Sequence, residues 1–466
     1  MIVIGAGLLG CFTARNLARY EMDILVLEKE SDVSRGISKA NTGIIYTGYD
    51  NRPGSRKSKL CVQANEAFDA LAAELGVPFS RPGSLMIGYG PHADQVIKRK
   101  YADGMRAGVK GLSLLDGREA EKLEPGLAGG MTCALYSRST GTVDPWELCI
   151  AAFENARDNG VRFRFGDEVR SIRSENGCFV VETDQSRFLA RAVVNAAGLS
   201  SDRVREFIKP PLLRLYPTAA DYIVLDAEEG GKLRHIIFHE GETGKGLTLV
   251  PTVDGNILVG PTKRATQPDK LSSSGFCVSA NGLTELKRLC RMVAPSIDPE
   301  KQIRSFGSLR PQPYKVHEEA GVIVREDTPI RDFCLLEEDG FFSLIGIKTP
   351  GLTFSNELGR LAADKAAAFT GRTMLRKDFD PCRKAIVRTR DLTIDERSAL
   401  IRQDSGYGEI ICGCMEVSRS EILQAIERGA RDFEGIRHRT GAGMGRCQGS
   451  RCRKKIWDIS GNEGSV

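Results

Sequence analysis

The chain has 466 residues, 41% of them hydrophobic and 27% charged, with a net charge of +5. That is enough for two or three domains with real cores, and the charge is too small to argue for a nucleic-acid partner. No apolar run reaches the roughly 18 residues of a membrane span, and the opening MIVIGAGLLG lacks the basic region and cleavage site of a secretory signal.

The chain opens as strand "MIVI", turn "GAGLLG", helix "CFTARNLARYEM" and second strand "DILVLE". With four residues ahead of the turn, the first strand is short. Gly5, Gly7 and Gly10 make a G-x-G-x-x-G turn. Gly5 allows the tight bend, Gly7 the approach of a pyrophosphate, and Gly10 close packing of helix on strand. The helix N-terminus then faces the phosphates. Glu28 ends the second strand, placed to accept hydrogen bonds from ribose hydroxyls. Dinucleotide binding follows, but the turn does not separate NAD from FAD.

Two later stretches bear on that choice. "RFLARAVVNAAGLSSDRV" (187–204) reads as a strand ending in Asn195-Ala196-Ala197-Gly198. "FFSLIGIKTPGLTFSNELGRLAADKAAAF" (341–369) reads as strand, turn and helix, which brings a second helix N-terminus toward the ligand. This order is similar to that of the FAD-dependent D-amino-acid-oxidase-like superfamily.

The likeness becomes closer in "SKANTGIIYTGYDNRPGSRKSKLCVQAN" (38–65), "GTVDPWEL" (141–148), "KGLTLVPTVDGNILVGPT" (245–262), "SFGSLRPQP" (305–313) and "GIKTPGLT" (346–353). These resemble FAD-dependent glycerol-3-phosphate and L-2-hydroxyglutarate dehydrogenases. The resemblance implies an α/β protein in which a Rossmann-like FAD-binding domain is interleaved with an α+β substrate domain. The expected boundaries are 1–372 for the oxidoreductase. Its FAD-binding segments fall at about 1–80, 145–205 and 330–372, and its substrate domain at about 81–144 and 206–329. By the same resemblance, Gly5, Gly7, Gly10 and Glu28 hold the ADP part. Ser38 and Asn41 lie beside the pyrophosphate and ring, Val169 contacts the adenine, and Gly198 is a close-approach glycine. Gly351, Leu352 and Thr353 supply backbone donors at the pyrimidine end. Arg310 grips an anionic substrate through its planar fork. Lys348 stabilises the reduced flavin or holds substrate. Relatives usually have histidine where this chain has Tyr46; that place makes Tyr46 a catalytic candidate, although its ordinary pKa near 10 makes it a poor base and packing over the flavin is the other reading. "TAADYIVLD" (218–226) also departs from the family pattern. His235 and His239 fall in a strand region and read as structural.

Nine of the thirteen cysteines are scattered and read as free thiols in a reducing cytoplasm. The other four, Cys412, Cys414, Cys447 and Cys452, lie in "CGCMEVSRSEI" and "GRCQGSRC". Structural zinc prefers C-x2-4-C pairs, and C-x-C is tighter than that. An iron–sulfur cluster takes four thiolates. Ser418 and Glu421 form a capping box for a helix that stops at Gly429. Residues 428–455 hold nine Lys or Arg and two Asp or Glu, which suits an anionic centre and an acidic partner. The segment resembles the bacterioferritin-associated-ferredoxin-like 2Fe-2S domain, and that resemblance implies a small helical domain over 405–458, with 373–404 as a linker.

The expected function is hydride transfer from a small anionic hydroxy substrate, foremost glycerol 3-phosphate, to flavin N5, with electrons leaving through the cluster. A 2-hydroxy acid or an amino acid is the alternative substrate. A non-catalytic electron-transfer subunit is the alternative class. Expected partners are a redox protein or second flavoprotein subunit, in the cytoplasm and compatible with peripheral membrane association.

Overall fold

The computed structural model describes residues 1–241, 244–265 and 276–461, and the chain forms two compact units, Met1–Pro381 and Cys382–Val466. No helix among the described residues is long and apolar enough to cross a membrane.

In the first unit, Ile2–Ile4 is fully buried at the centre of a six-stranded sheet. It pairs in parallel with Leu25–Leu27 on one side and Val193–Asn195 on the other. Arg162–Arg164 and Phe341–Ile345 extend the sheet in parallel, and Cys334–Glu338 adds an antiparallel edge. Buried on both faces, such strands are short apolar runs without alternation. The helices Leu8–Leu17, Pro145–Asp158 and Ser355–Phe369 share one core that includes Phe12, Leu17, Phe153 and Leu358. Gly359 sets how close two of them come: a Cβ there would lie 2.9 Å from the backbone of Phe12 and Thr13. On the other face, Ile172, Phe179 and Val181 of a three-stranded antiparallel sheet pack on Ile2, Ile4 and Phe341. The run 187–195, expected as one strand, is two. Arg187–Ala190 belongs to this small sheet and Val193–Asn195 to the large one, so one apolar run serves two layers.

A nine-stranded mixed sheet draws on two stretches of sequence, Ser84–Ser137 and Thr218–Arg310. It interleaves with the dinucleotide-type sheet along the chain. Asp221, fully buried in its strand Thr218–Leu225, gathers Arg264, Thr262 and Ser279 around one carboxylate. Asp221, at the centre of that network, belongs to the "TAADYIVLD" stretch.

The second unit is small and helical. Arg419–Glu427, Phe433–Thr440 and Arg453–Ser460 surround Ile411, Val417, Ile422 and Ile436, beside a two-stranded ladder. Ser418 and Glu421 make the expected capping box, and Gly429 follows the helix at φ +101°. The stretch 373–404, expected as a linker, is divided at Pro381. Beyond it, Ile386 is buried in the second unit's core and the Thr389 hydroxyl donates to Glu421 (2.7 Å).

Candidate functional site

A cavity of about 810 Å³ runs past the first turn, and its wall carries most of the residues singled out in the sequence. Gly5 has φ +99°, and a Cβ on it would lie 2.7 Å from the Ala196 carbonyl. A Cβ on Gly10 would lie 1.8 Å from the Gly5 carbonyl oxygen, so Gly10 stands behind the wall and permits the turn. Gly7 caps the helix with no side-chain hydrogen bond, which leaves amides at the positive end facing the cavity. The Ser38 hydroxyl accepts from the Leu8 amide (2.9 Å) at the same place.

Glu28 lies at the rim. Its carboxylate accepts from the Ala6 (2.6 Å) and Glu30 (2.9 Å) amides, which fixes its aim. Burial nevertheless holds its pKa above the usual carboxylate range. Val169 and Gly198 line the same space. The Asn41 side chain is committed to its own loop: it donates to the Ser38 carbonyl (2.7 Å) and accepts from the Gly43 amide (2.8 Å). It therefore shapes the wall from within the loop.

In the second turn, Gly351 and Leu352 line the cavity and Thr353 does not. The Gly351 and Thr353 amides are taken up by the Lys348 (2.7 Å) and Pro350 (2.9 Å) carbonyls. Among the described residues the Leu352 amide has no such acceptor, so of the three expected donors it is the one left for a ligand. The Thr353 hydroxyl accepts from the Tyr46 amide (3.0 Å) and so ties the two flanking loops together.

At the far end Arg310, Tyr46, Tyr222 and Lys348 share the wall. Arg310 hydrogen-bonds the Tyr222 side chain. Burial pushes the Tyr46 phenol up to about 12, against the pull of Arg310. Burial, with Lys57 and Arg310 nearby, pulls Lys348 down to about 8. Lys348 Nζ donates to Gln312 Oε1 and, at 3.5 Å, to the Ile330 carbonyl. Tyr222, Gln312 and Lys57 lie inside stretches noted in the sequence, but nothing local marks any of the three as a site residue. His235 is bound to Glu124 (2.7 Å), and neither it nor His239 lines the cavity.

A long cavity with a helix N-terminus at the glycine cradle, a second turn at Gly351 and Leu352 and an acid at the strand end fits a dinucleotide of the FAD class.

In the second unit the four cysteines come together as two hydrogen-bonded thiol pairs, Cys414 with Cys447 and Cys412 with Cys452. Cys412 and Cys452 are each 1% exposed, whereas Cys414 is exposed and Cys447 half-buried. Amides reach the sulfurs: Gly443 donates to Cys412 (3.4 Å), and Arg451 and Gly449 donate to Cys447, pulling that thiol down to about 7. A Cβ on Gly445 would lie 2.5 Å from that of Cys414, so glycine is needed for the loops to meet. Among the described residues no three His, Cys, Asp or Glu side chains converge to hold a single metal ion. Two pairs of thiols suit two irons better than one tetrahedral zinc.

Residues 1–365 match the DAO family, described as FAD dependent oxidoreductase, and residues 410–459 match the BFD-like 2Fe-2S binding domain. A glycerol 3-phosphate dehydrogenase of Caloramator mitchellensis is 32% identical over 464 residues, which cover 99% of this chain and 93% of that protein. The anaerobic glycerol-3-phosphate dehydrogenase subunit A1 of Haloferax volcanii is 24% identical, over 97% of this chain and 81% of that one. Among solved structures, the FAD-bound L-alpha-glycerophosphate oxidase of Mycoplasma pneumoniae superposes with a TM-score of 0.71 at 22% identity, covering 82% of this chain and 97% of that one.

Proposed function

This chain belongs to the FAD dependent oxidoreductase family and is an oxidoreductase of glycerol-3-phosphate dehydrogenase type carrying a 2Fe-2S domain; from that premise we propose that its substrate is glycerol 3-phosphate itself. The observation that carries the reading is the cluster of cations at one end of the cavity. Arg310 faces it and Lys57 stands nearby, while burial together with these two charges holds the Lys348 amine on the same wall down to about 8. No histidine is among the described lining residues, and the carboxylates that act on this end, Asp50 on Tyr46 and Asp332 on Lys348, are not part of the wall. Such a charge balance favours a phosphate dianion over a monocarboxylate. Arg310 grips the phosphate, and Tyr46 packs against the reacting carbon.

FAD supplies a two-electron oxidant when bound, and the cluster supplies a one-electron outlet. Gly5, Gly7 and Ser38 hold the pyrophosphate, with Gly10 supporting the turn. Glu28 takes the ribose, Val169 and Gly198 flank the adenosine, and Asn41 with Gly351, Leu352 and Thr353 shapes the flavin end. Cys412, Cys414, Cys447 and Cys452 ligate the cluster. Electrons leave to an acidic redox protein or a companion flavoprotein subunit. The setting is the cytoplasm, in keeping with thirteen cysteines that are all free of disulfides.

Anaerobic mixing of the holoprotein with glycerol 3-phosphate, 2-hydroxyglutarate or an amino acid tests the substrate. Loss of the flavin's visible band with the first and not the others is expected; no loss with the first refutes it. Reduction by a partner protein alone would favour a non-catalytic subunit, a reading motivated by Tyr46.

A further inference from the structure

We propose that Lys348 accepts the proton of the substrate hydroxyl, and that Gln312 positions its amine for that task. The proposal rests on the reading of the cavity as an alcohol-oxidising site. Oxidation of H–C–OH breaks two bonds to hydrogen. With FAD bound, the C–H pair would leave as hydride to that two-electron oxidant, the O–H proton must go to a base, and the carbon becomes a carbonyl. The bond formed at the base is a third N–H on Lys348 Nζ.

The other lining groups are poorly suited. Glu28, Glu30, Asp167 and Glu168 group around the second strand's end, where the Asp167 amide donates to the Glu28 carbonyl (3.0 Å). Asp202 gives one carboxylate oxygen to the Leu215 amide (2.9 Å), and the charge that acts on it is Arg203, not Arg310. At the Arg310 end the phenols of Tyr46 and Tyr222 are both pushed up by burial. A phenol that resists ionisation cannot take a proton at neutral pH.

Lys348 differs in geometry as well as charge. The Gln312 amide nitrogen donates to the Pro313 (3.0 Å) and Ile330 (2.9 Å) carbonyls, so its oxygen is turned to the lysine. Gln312 Oε1 and the Ile330 carbonyl then offer two acceptors to Nζ. A neutral amine has two N–H bonds and one lone pair. With both N–H bonds taken, the lone pair is left for the cavity that Lys348 lines. The charged groups facing it are Lys57 and Arg310, which disfavour a third proton, and Asp332, which favours one. Burial is the larger cause, and with these charges added the amine's pKa falls to about 8.

The test has two arms. In the first, holoprotein without substrate is acylated across a pH series and Lys348 followed by peptide mass spectrometry. Half-maximal reactivity near pH 8 supports the assignment; reactivity at the ordinary lysine value overturns it. In the second, wild-type kcat/KM is expected to rise with pH to a limb near 8, with the kcat limb shifted higher because bound anion favours the charged amine. Lys348→Met should lose that limb and about 10²–10⁴-fold in rate, with partial rescue by methylamine. Lys348→Arg, which keeps the charge, should not recover it. Gln312→Leu should lower kcat and move the limb with little change in KM. A raised KM with kcat and the limb intact in Lys348→Met would make the lysine an anion anchor and overturn the proposal. Failure of glycerol 3-phosphate to reduce wild-type flavin would remove that substrate, while the acylation arm still decides on Lys348.

Discussion

Arg310 ends the strand Gln302–Arg310 at the cavity, beside the Tyr222 hydroxyl. A charged hydrogen bond is worth about 1.5–3 kcal/mol, so Arg310→Ala should raise the KM for glycerol 3-phosphate by about 10- to 100-fold, read from flavin-reduction kinetics. Lys348 also bears on stability, and the sign follows from its protons. The folded chain releases that proton at about 8, whereas the unfolded chain keeps it to about 10.4. Between those values the unfolded chain binds more protons, so stability rises with pH across that window. Below pH 8 both states carry the charge and the fold bears the cost of burying it. Lys348→Met should therefore raise Tm at pH 7, and the gain should shrink as pH climbs from 8 to 10, measured by thermal melts at each pH. A constant difference would mean that the charge is not what the substitution relieves.

At the scale of elements, close approaches decide. Gly10→Ala sets a Cβ against a backbone oxygen that cannot swing away. Overpacking of this kind costs about 1–3 kcal/mol, and the turn it distorts is the one proposed to hold the pyrophosphate. The variant should purify with little flavin, by the ratio of visible to protein absorbance. Asp221 ties the strand Thr218–Leu225 to Arg264 and to the cap of the helix Ala280–Val293. Burial alone would raise its pKa, but the bonds from Arg264, Ser279 and Thr262 hold it below the usual range. Asp221→Ala strands a partly buried arginine and should cost about 3 kcal/mol, read from chemical denaturation. The first turn was legible in the sequence because strand, glycines, helix and acid are neighbours in the chain. Tyr222 was not, because it reaches the site through sheet register: Thr218 pairs with Arg310 and Tyr222 with Phe306, partners far away in the chain. Gln312 sat inside a quoted motif, yet its value depends on the Pro313 and Ile330 carbonyls, which only the folded chain assembles. The run 187–195 misled for a related reason, since nothing local marks the point where a strand changes sheets.

The whole molecule carries an FAD-dependent oxidoreductase unit and a 2Fe-2S unit in a single chain. The second unit places one thiol pair, Cys414 and Cys447, outward and buries the other, so removing an outer ligand should spare the fold that Ile422 and Ile436 build. The most direct measurement is anaerobic titration of the holoprotein with glycerol 3-phosphate, following the flavin by absorbance and the cluster by electron paramagnetic resonance. The account predicts flavin reduction accompanied by a paramagnetic reduced-cluster signal, and in Cys447→Ser the same flavin reduction with no such signal. A flavin that is reduced while an intact cluster stays oxidised, or a protein that carries no iron and sulfide when purified without oxygen, would contradict it.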